Sequence, residues 1–302
     1  MNLKLRRLSH ALGAEVLDID LRQPLSPDRI AEIRAAWMQH QVLLFRDQAI
    51  TPAQQIRFTE QFGPVDDYPL VHFRHPDHPQ LMVLSSDPGT GSKSTSRAAG
   101  ERWHTDLSFT TRPATASMLH AQKIPSIGGD TMFANQYLAY EALSPTLQQV
   151  IEPLETVHEL FSGRADFKAL DVTKMLEMRA ANPPVAQPMV RVHPETGRPA
   201  LYVSPSLSSR IVGMTTEESA GLLAHIKQVC VNPQIIYRHQ WRVGDLLIWD
   251  NRCLLHIAVQ DYDKREHRLM YRTTITGAPC GRLLEEAGSA LPSPTQVAVA
   301  NS

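Results

Sequence analysis

Two histidines, one aspartate and two arginines are the side chains of this chain whose types and spacing could do chemistry together. In Trp103-His104-Thr105-Asp106 an imidazole and a carboxylate stand two residues apart, a spacing that on a β-strand turns both to one face. Two ligands can then reach one ion. A third from a remote strand would complete a two-histidine, one-carboxylate set that leaves metal positions open for substrate-derived atoms and oxygen, as non-haem iron(II) chemistry requires. His256, beyond the apolar run Leu246-Leu247-Ile248-Trp249 and the polar turn Asp250-Asn251, is the candidate. Alone, His-x-Asp also fits a half-buried strand end.

Arg268 and Arg272 follow, four residues apart, and on a strand this even spacing points both guanidiniums to one side. A guanidinium is a planar fork that pairs bidentately with a carboxylate, so an arginine here could hold the distal carboxylate of a dicarboxylic cosubstrate. A solvated cationic face is the plainer alternative. Three other groupings read as decoys. His72, His75 and His78 recur every third residue, but Pro76 and Pro79 interrupt any helix that would align them. The segment from Gly89 to Ser94 lacks the pairing of a phosphate loop. His158 and Glu159 read as a packed, satisfied pair.

The elements that must position these residues are mostly strands. Short apolar runs at 42–45, 81–84, 116–121, 130–134, 246–249 and 270–275 suit β-structure. Three helix starts carry capping signals: Ser26-Pro27, Thr51-Pro52 with Gln54 (a helix expected to stop at Gly63), and Thr215 with Glu218. Without helix–strand alternation or a Gly-x-Gly-x-x-Gly, a doubly wound parallel sheet does not fit. A mainly β sandwich or jelly roll with peripheral helices does. Residues 85–100, rich in Gly, Ser and Thr, are expected to form a mobile loop beside the site, and 283–302 a flexible tail.

Composition narrows the function classes. Thirty Lys and Arg nearly balance 31 Asp and Glu, so no global positive field favours nucleic acid or anionic lipid, and a small-molecule substrate is the expectation. Cys230, Cys253 and Cys280 have neither disulfide-scaffold nor zinc-knuckle spacing. No apolar stretch reaches the roughly 18 residues of a membrane span, and no export signal follows the basic N-terminus. A cytoplasmic homo-oligomer is expected. A zinc-dependent hydrolase using the same ligands and a non-catalytic jelly-roll binding protein are the competing classes.

Several motifs in order carry a resemblance over nearly the whole chain. Trp103-His104-Thr105-Asp106, Pro125-Ser126-Ile127-Gly128-Gly129-Asp130-Thr131, Ile248-Trp249-Asp250-Asn251-Arg252 and Arg268-x-x-x-Arg272 resemble the taurine dioxygenase and 2,4-dichlorophenoxyacetate dioxygenase (TauD/TfdA) family, as do Gly13-Ala14-Glu15-Val16 and Arg46-Asp47-Gln48. The resemblance implies a cupin-like double-stranded β-helix over 1–282. It implies iron(II) on His104, Asp106 and His256, with 2-oxoglutarate and O2 as cosubstrates. Thr131 and Arg268 match the residues for the distal carboxylate of 2-oxoglutarate, with Trp249 nearby, and Arg272 matches a contact to the substrate's anionic group. Succinate and carbon dioxide would be released as a small, anionic substrate is hydroxylated, with C–O or C–S cleavage where the hydroxylated carbon bears such a heteroatom.

This chain departs from the family at the substrate pocket. Tyr68 stands where a histidine meets the sulfonate or sulfate in taurine dioxygenase and its relatives, and Gly100 where an asparagine precedes the metal motif. Taurine itself is therefore not the expected substrate. Tyr68, Gly100, Leu107, Arg164 and Arg272 are the candidate substrate contacts. The gap from His256 to Arg268 is one residue longer than in taurine dioxygenase, which one insertion in the turn 261–266 would absorb.

Overall fold

The computed structural model describes residues 3–66, 73–87, 100–160, 172–263 and 265–284. The chain opens with β1 (Leu5–Arg7), β2 (Ala14–Val16), α1 (Pro27–His40), β3 (Val42–Phe45), α2 (Pro52–Glu60) and β4 (Met82–Ser85). The middle holds β5 (Ala116–Lys123), β6 (Thr131–Asn135), α3 (Gln136–Glu141), α4 (Pro145–Ile151), β7 (Glu155–His158), α5 (Val172–Ala181), β8 (Val185–Pro188), β9 (Val190–Val192) and β10 (Pro199–Leu201). β11 (Ser208–Ile211), α6 (Thr216–Val229), β12 (Ile236–His239), β13 (Leu246–Asp250), β14 (Leu254–Ala258), β15 (Leu269–Ile275) and β16 (Arg282–Leu283) complete it.

Capping chemistry sets the helix starts. Ser26 Oγ accepts from Arg29 N ahead of α1, and Thr51 with Gln54 and Thr215 with Glu218 close reciprocal capping boxes ahead of α2 and α6. α2 stops at Glu60, short of the expected Gly63. The chain leaves the helical path there and buries Phe62 edge-on against Trp37 and Phe58. α3 and α4, capped by Asn135 and Ser144, are too short for their periodicity to announce them.

A seven-stranded sheet runs β1-β2-β3-β13-β5-β15-β4, antiparallel at every pair except β2 with β3. A three-stranded sheet, β12-β6-β14, is antiparallel throughout. Side-chain alternation shows how the layers stack. Leu43, Phe45, Leu246 and Ile248 point into one core with Ile33, Trp37 and Phe58 of the helices. Their neighbours Val42, Leu44, Leu247 and Trp249 point into a second core with Phe133 and Leu254 of the small sheet. Both faces of the central strands are therefore covered, which is why they read as unbroken apolar runs. The small sheet's other face is covered in turn: Ala134 and Leu255 pack with Leu223 and Ile226 of α6. A four-stranded sheet, β11-β7-β8-β16, and the β9-β10 pair complete the β-structure of the described residues.

Two expectations change in detail. Leu283, expected to begin the tail, pairs with Val185 in β16, and residues 285–302 lie outside the described residues. Of the expected loop 85–100, residues 88–99 also lie outside them. No helix among the described residues is long and apolar enough to cross a membrane.

Candidate metal centre

His256 lies in β14 opposite Phe133 of β6, and His104 pairs with it through an isolated bridge rather than within a strand. His104 N donates to His256 O at 3.0 Å, and His256 N donates to His104 O at 2.8 Å. This reciprocal exchange places the two side chains on one face, with ring centroids 4.2 Å apart. His104 and Asp106, two residues apart, do turn their ligand atoms to one side, and a turn in which Leu107 adopts φ 57 follows directly after the aspartate.

Nε2 of His104 and Nε2 of His256 each lie 3.7 Å from Asp106 Oδ1. That distance is too long for a hydrogen bond and suits an ion about 2 Å from each donor. His104 Nδ1 is 2.7 Å from the Arg102 carbonyl. A carbonyl only accepts, so Nδ1 carries the proton and Nε2 presents its lone pair to the centre. Asp106 and His256 are 4 % and 6 % exposed, whereas the His104 side chain keeps 20 % exposure and marks the open side. Burial works against an ionised Asp106, but Arg272, then His256 and His104, hold its carboxyl well below the usual range. Burial, with His104 beside it, pushes His256 well down. Each group therefore stands in its metal-binding form, carboxylate and neutral imidazole. The donor set fits a divalent ion of the iron(II) class.

The two arginines end on different partners. Arg268 stands one residue ahead of β15, which begins at Leu269, and Ser86 N donates to its carbonyl at 3.0 Å in line with the β15–β4 ladder; the register slip against β5 leaves the extra residue in β5. Arg272 Nη2 lies 2.9 Å from Asp106 Oδ2. Arg268 Nε donates to Gly129 O at 3.2 Å, its guanidinium lies 5.9 Å from the Trp241 ring centroid, and burial lowers its pKa to about 10, which leaves it cationic at neutral pH. Its buried Nη2 has no hydrogen-bond partner among the described residues. Thr131 Oγ1 accepts from Trp241 Nε1 at 3.0 Å.

Trp241 thus touches both residues expected to act together. Trp249, expected nearby, packs against Phe133 and His256, 5.6 and 4.9 Å between centroids. Nothing in the sequence around Trp241 marked it; its signal is the tertiary pairing of β12 with β6. Gly100 O accepts from Ala258 N at 2.8 Å, and a Cβ at Gly100 would sit 3.7 Å from His104 Cε1, so this position does border the centre. Tyr68 and Arg164 lie outside the described residues.

Other groupings resolve into structure. His158 is buried between the hydroxyls of Ser108 and Ser208, both at 2.9 Å, and Glu159 pairs with Arg179. His75 is tilted against His78 and edge-on to Tyr271, with no third ligand among the described residues, and His72 lies outside them. His193, Asp250 and Cys253 also converge, but Asp250 is committed to Arg252 at 2.7 Å and His193 at 3.0 Å. That buried ion network was missed from sequence.

Comparison with known proteins decides what this geometry belongs to. The sequence profile described as "Taurine catabolism dioxygenase TauD, TfdA family" matches residues 4–274. The chain belongs to the TauD/TfdA family. Among relatives in this family, it is 34 % identical over 272 residues to the alpha-ketoglutarate-dependent 2,4-dichlorophenoxyacetate dioxygenase of Cupriavidus pinatubonensis, covering 87 % of this chain and 93 % of that one. It is 32 % identical to an alkylsulfatase of Acinetobacter baylyi, covering 91 % and 85 %. A solved TauD/TfdA structure, a taurine dioxygenase from Burkholderia xenovorans, superposes with a TM-score of 0.79 at 32 % identity, covering 99 % of this chain and all of that one.

Proposed function

We propose that His104, Asp106 and His256 hold iron(II), that Arg268 and Thr131 receive the distal carboxylate of 2-oxoglutarate with Trp241 behind them, and that Arg272 meets an anionic group of the substrate. Family membership supplies the reaction class: the chain is an iron(II)- and 2-oxoglutarate-dependent dioxygenase. Bound iron(II), with 2-oxoglutarate and O2, supplies the oxidant that hydroxylates a substrate carbon, with succinate and carbon dioxide as co-products. The protein's own part is orientation and charge. The convergence of two imidazole Nε2 atoms on one carboxylate oxygen, with no hydrogen bond between them, is the observation that carries the metal assignment.

Arg268 brings a cation to the cosubstrate end of the site, with an N–H that no described residue accepts. Thr131, whose oxygen already accepts the indole N–H, is left to donate its own proton, so both side chains present donors to a carboxylate. The substrate reading follows from relatives named for an aryloxyacetate and for an alkyl sulfate, both anions. Gly100, Leu107, Tyr68 and Arg164 complete the substrate contacts in this reading, and the departures at Tyr68 and Gly100 set taurine aside. If the hydroxylated carbon bears ether or sulfate oxygen, the product collapses with C–O cleavage.

In the same reading the facing seven- and three-stranded sheets are the two layers of a jelly-roll double-stranded β-helix. The chain forms one catalytic domain that runs on through Leu283 of β16, in a cytoplasmic homo-oligomer. The test is direct. Anaerobic addition of iron(II) and 2-oxoglutarate should produce a weak visible charge-transfer band, and a screen of aryloxyalkanoates, alkyl sulfates and sulfonates should reveal substrate-dependent succinate release. His104→Ala or Asp106→Ala should abolish both signals; full turnover by either variant overturns the assignment.

A further inference from the structure

The motif Ile248-Trp249-Asp250-Asn251-Arg252 is not accounted for by metal or cosubstrate binding, yet its asparagine is 0 % exposed and stands behind the metal carboxylate. Asn251 Oδ1 accepts from Trp249 Nε1 at 2.9 Å and from Asp106 N at 3.4 Å. These two donors define which end of the amide is oxygen. Nδ2 is therefore turned to Ser117 Oγ, to which it donates at 3.2 Å. A serine hydroxyl has one proton, and with its oxygen receiving the amide N–H that proton goes to Asp106 Oδ2, 2.7 Å away. The polarity of the chain from indole to amide to hydroxyl to carboxylate is thus set at its far end.

We propose that Asn251 and Ser117 are positioning residues that pin Asp106 Oδ2, so that Oδ1 alone is offered to the metal. This rests on the metal reading above. An aspartate free to rotate could present both oxygens to one ion and fill a position needed for cosubstrate or O2. Here Oδ2 is occupied by the Ser117 hydroxyl and the Arg272 guanidinium, while Oδ1 faces both imidazoles. Ser117, Asn251 and Trp249 are 0 %, 0 % and 2 % exposed, so water does not compete for these bonds. Ser117 is held by β5 directly opposite Trp249 of β13 and Thr274 of β15. The turn bearing Asn251 is anchored by Asn251 N donating to Thr115 O and by the Asp250–Arg252 pair. The motif's ionic residues fix the turn, and its asparagine acts on the carboxylate.

Mn(II) titration of the metal-free full chain, following the EPR signal of unbound ion, tests this apart from turnover. Ser117→Ala and Asn251→Ala should each raise the Mn(II) Kd about 10- to 100-fold, the usual effect of removing an outer partner of a metal ligand. Because they act in series through one hydrogen bond, the double variant should lie within about twofold of the weaker single variant. Ser117→Thr, which keeps the hydroxyl, should restore binding to within about threefold of wild type. Thermal melting checks folding, and if Ser117→Ala does not fold, Ser117→Cys, with its weak donor, carries the same expectation. An unchanged Kd in the folded Ser117 variant, or losses that multiply in the double variant, overturns the proposal. If the wild type binds no Mn(II), or Asp106→Ala binds as tightly as wild type, the metal reading fails instead.

Discussion

At the scale of the residue, Arg268 and Gly100 carry separable predictions. Arg268 meets Gly129 O and the Trp241 face and leaves an N–H to be matched by a carboxylate, so Arg268→Ala should act on 2-oxoglutarate before it acts on the chemistry. A charge-assisted bond worth about 1.5–3 kcal/mol corresponds to a roughly 10- to 100-fold rise in the KM for 2-oxoglutarate, read from initial rates of succinate release. An unchanged KM would remove Arg268 from the cosubstrate site. Gly100 has φ 87, in the left-handed region, and its added Cβ would make only ordinary contact with His104 Cε1 at 3.7 Å. Gly100→Ala should therefore lower stability by about 1 kcal/mol through the backbone alone, seen as a lower urea midpoint, while Mn(II) binding persists. The residues themselves were readable because their chemistry is rare: His104, Asp106 and His256 were named from type and motif, and the structure brings all three together. Trp241 was not, because one indole among four looks like any core residue until β12 lays it beside Thr131.

At the scale of the element, local signals and tertiary ones divide cleanly. Capping is local, so the starts of α1, α2 and α6 could be read from three or four residues. Thr215→Ala removes one half of the α6 capping box and should cost about 1 kcal/mol in denaturant unfolding, with the KM values for 2-oxoglutarate and substrate unchanged. A loss of activity per folded molecule would mean α6 is coupled to the centre. Strand ends moved by a residue or two because pairing sets them: β5 extends to Lys123 through its partner Leu269, and β15 begins at that same pair. The register slip at that pair puts its extra residue in β5, where the spacing of Arg268 and Arg272 cannot show it.

At the scale of the whole molecule, stability and pH are linked through His158. Burial pushes its pKa down to about 3 from an ordinary 6.5, and it is held neutral between serine hydroxyls. Below pH 6.5 the unfolded chain takes up a proton that the native chain refuses, so this stability is fully present above pH 6.5 and is lost as pH falls toward 3. The slope is at most about 1.4 kcal/mol per pH unit. Between pH 7 and pH 4.5, wild type should lose roughly 2 kcal/mol more than His158→Gln in urea unfolding; equal losses would show that His158 titrates alike in both states.

The sequence by itself determined the candidate ligands, through motifs that resemble one family, and the mainly β class of architecture, because ligand types, capping residues and apolar runs are properties of short segments. Only the tertiary structure decided which oxygen of Asp106 faces the imidazoles, which indole stands behind Thr131, and that Arg272 and Ser117 share Oδ2. Those facts depend on β5, β13 and β14 meeting across long stretches of chain, and the register of such a meeting is set by the whole core rather than by any of its parts.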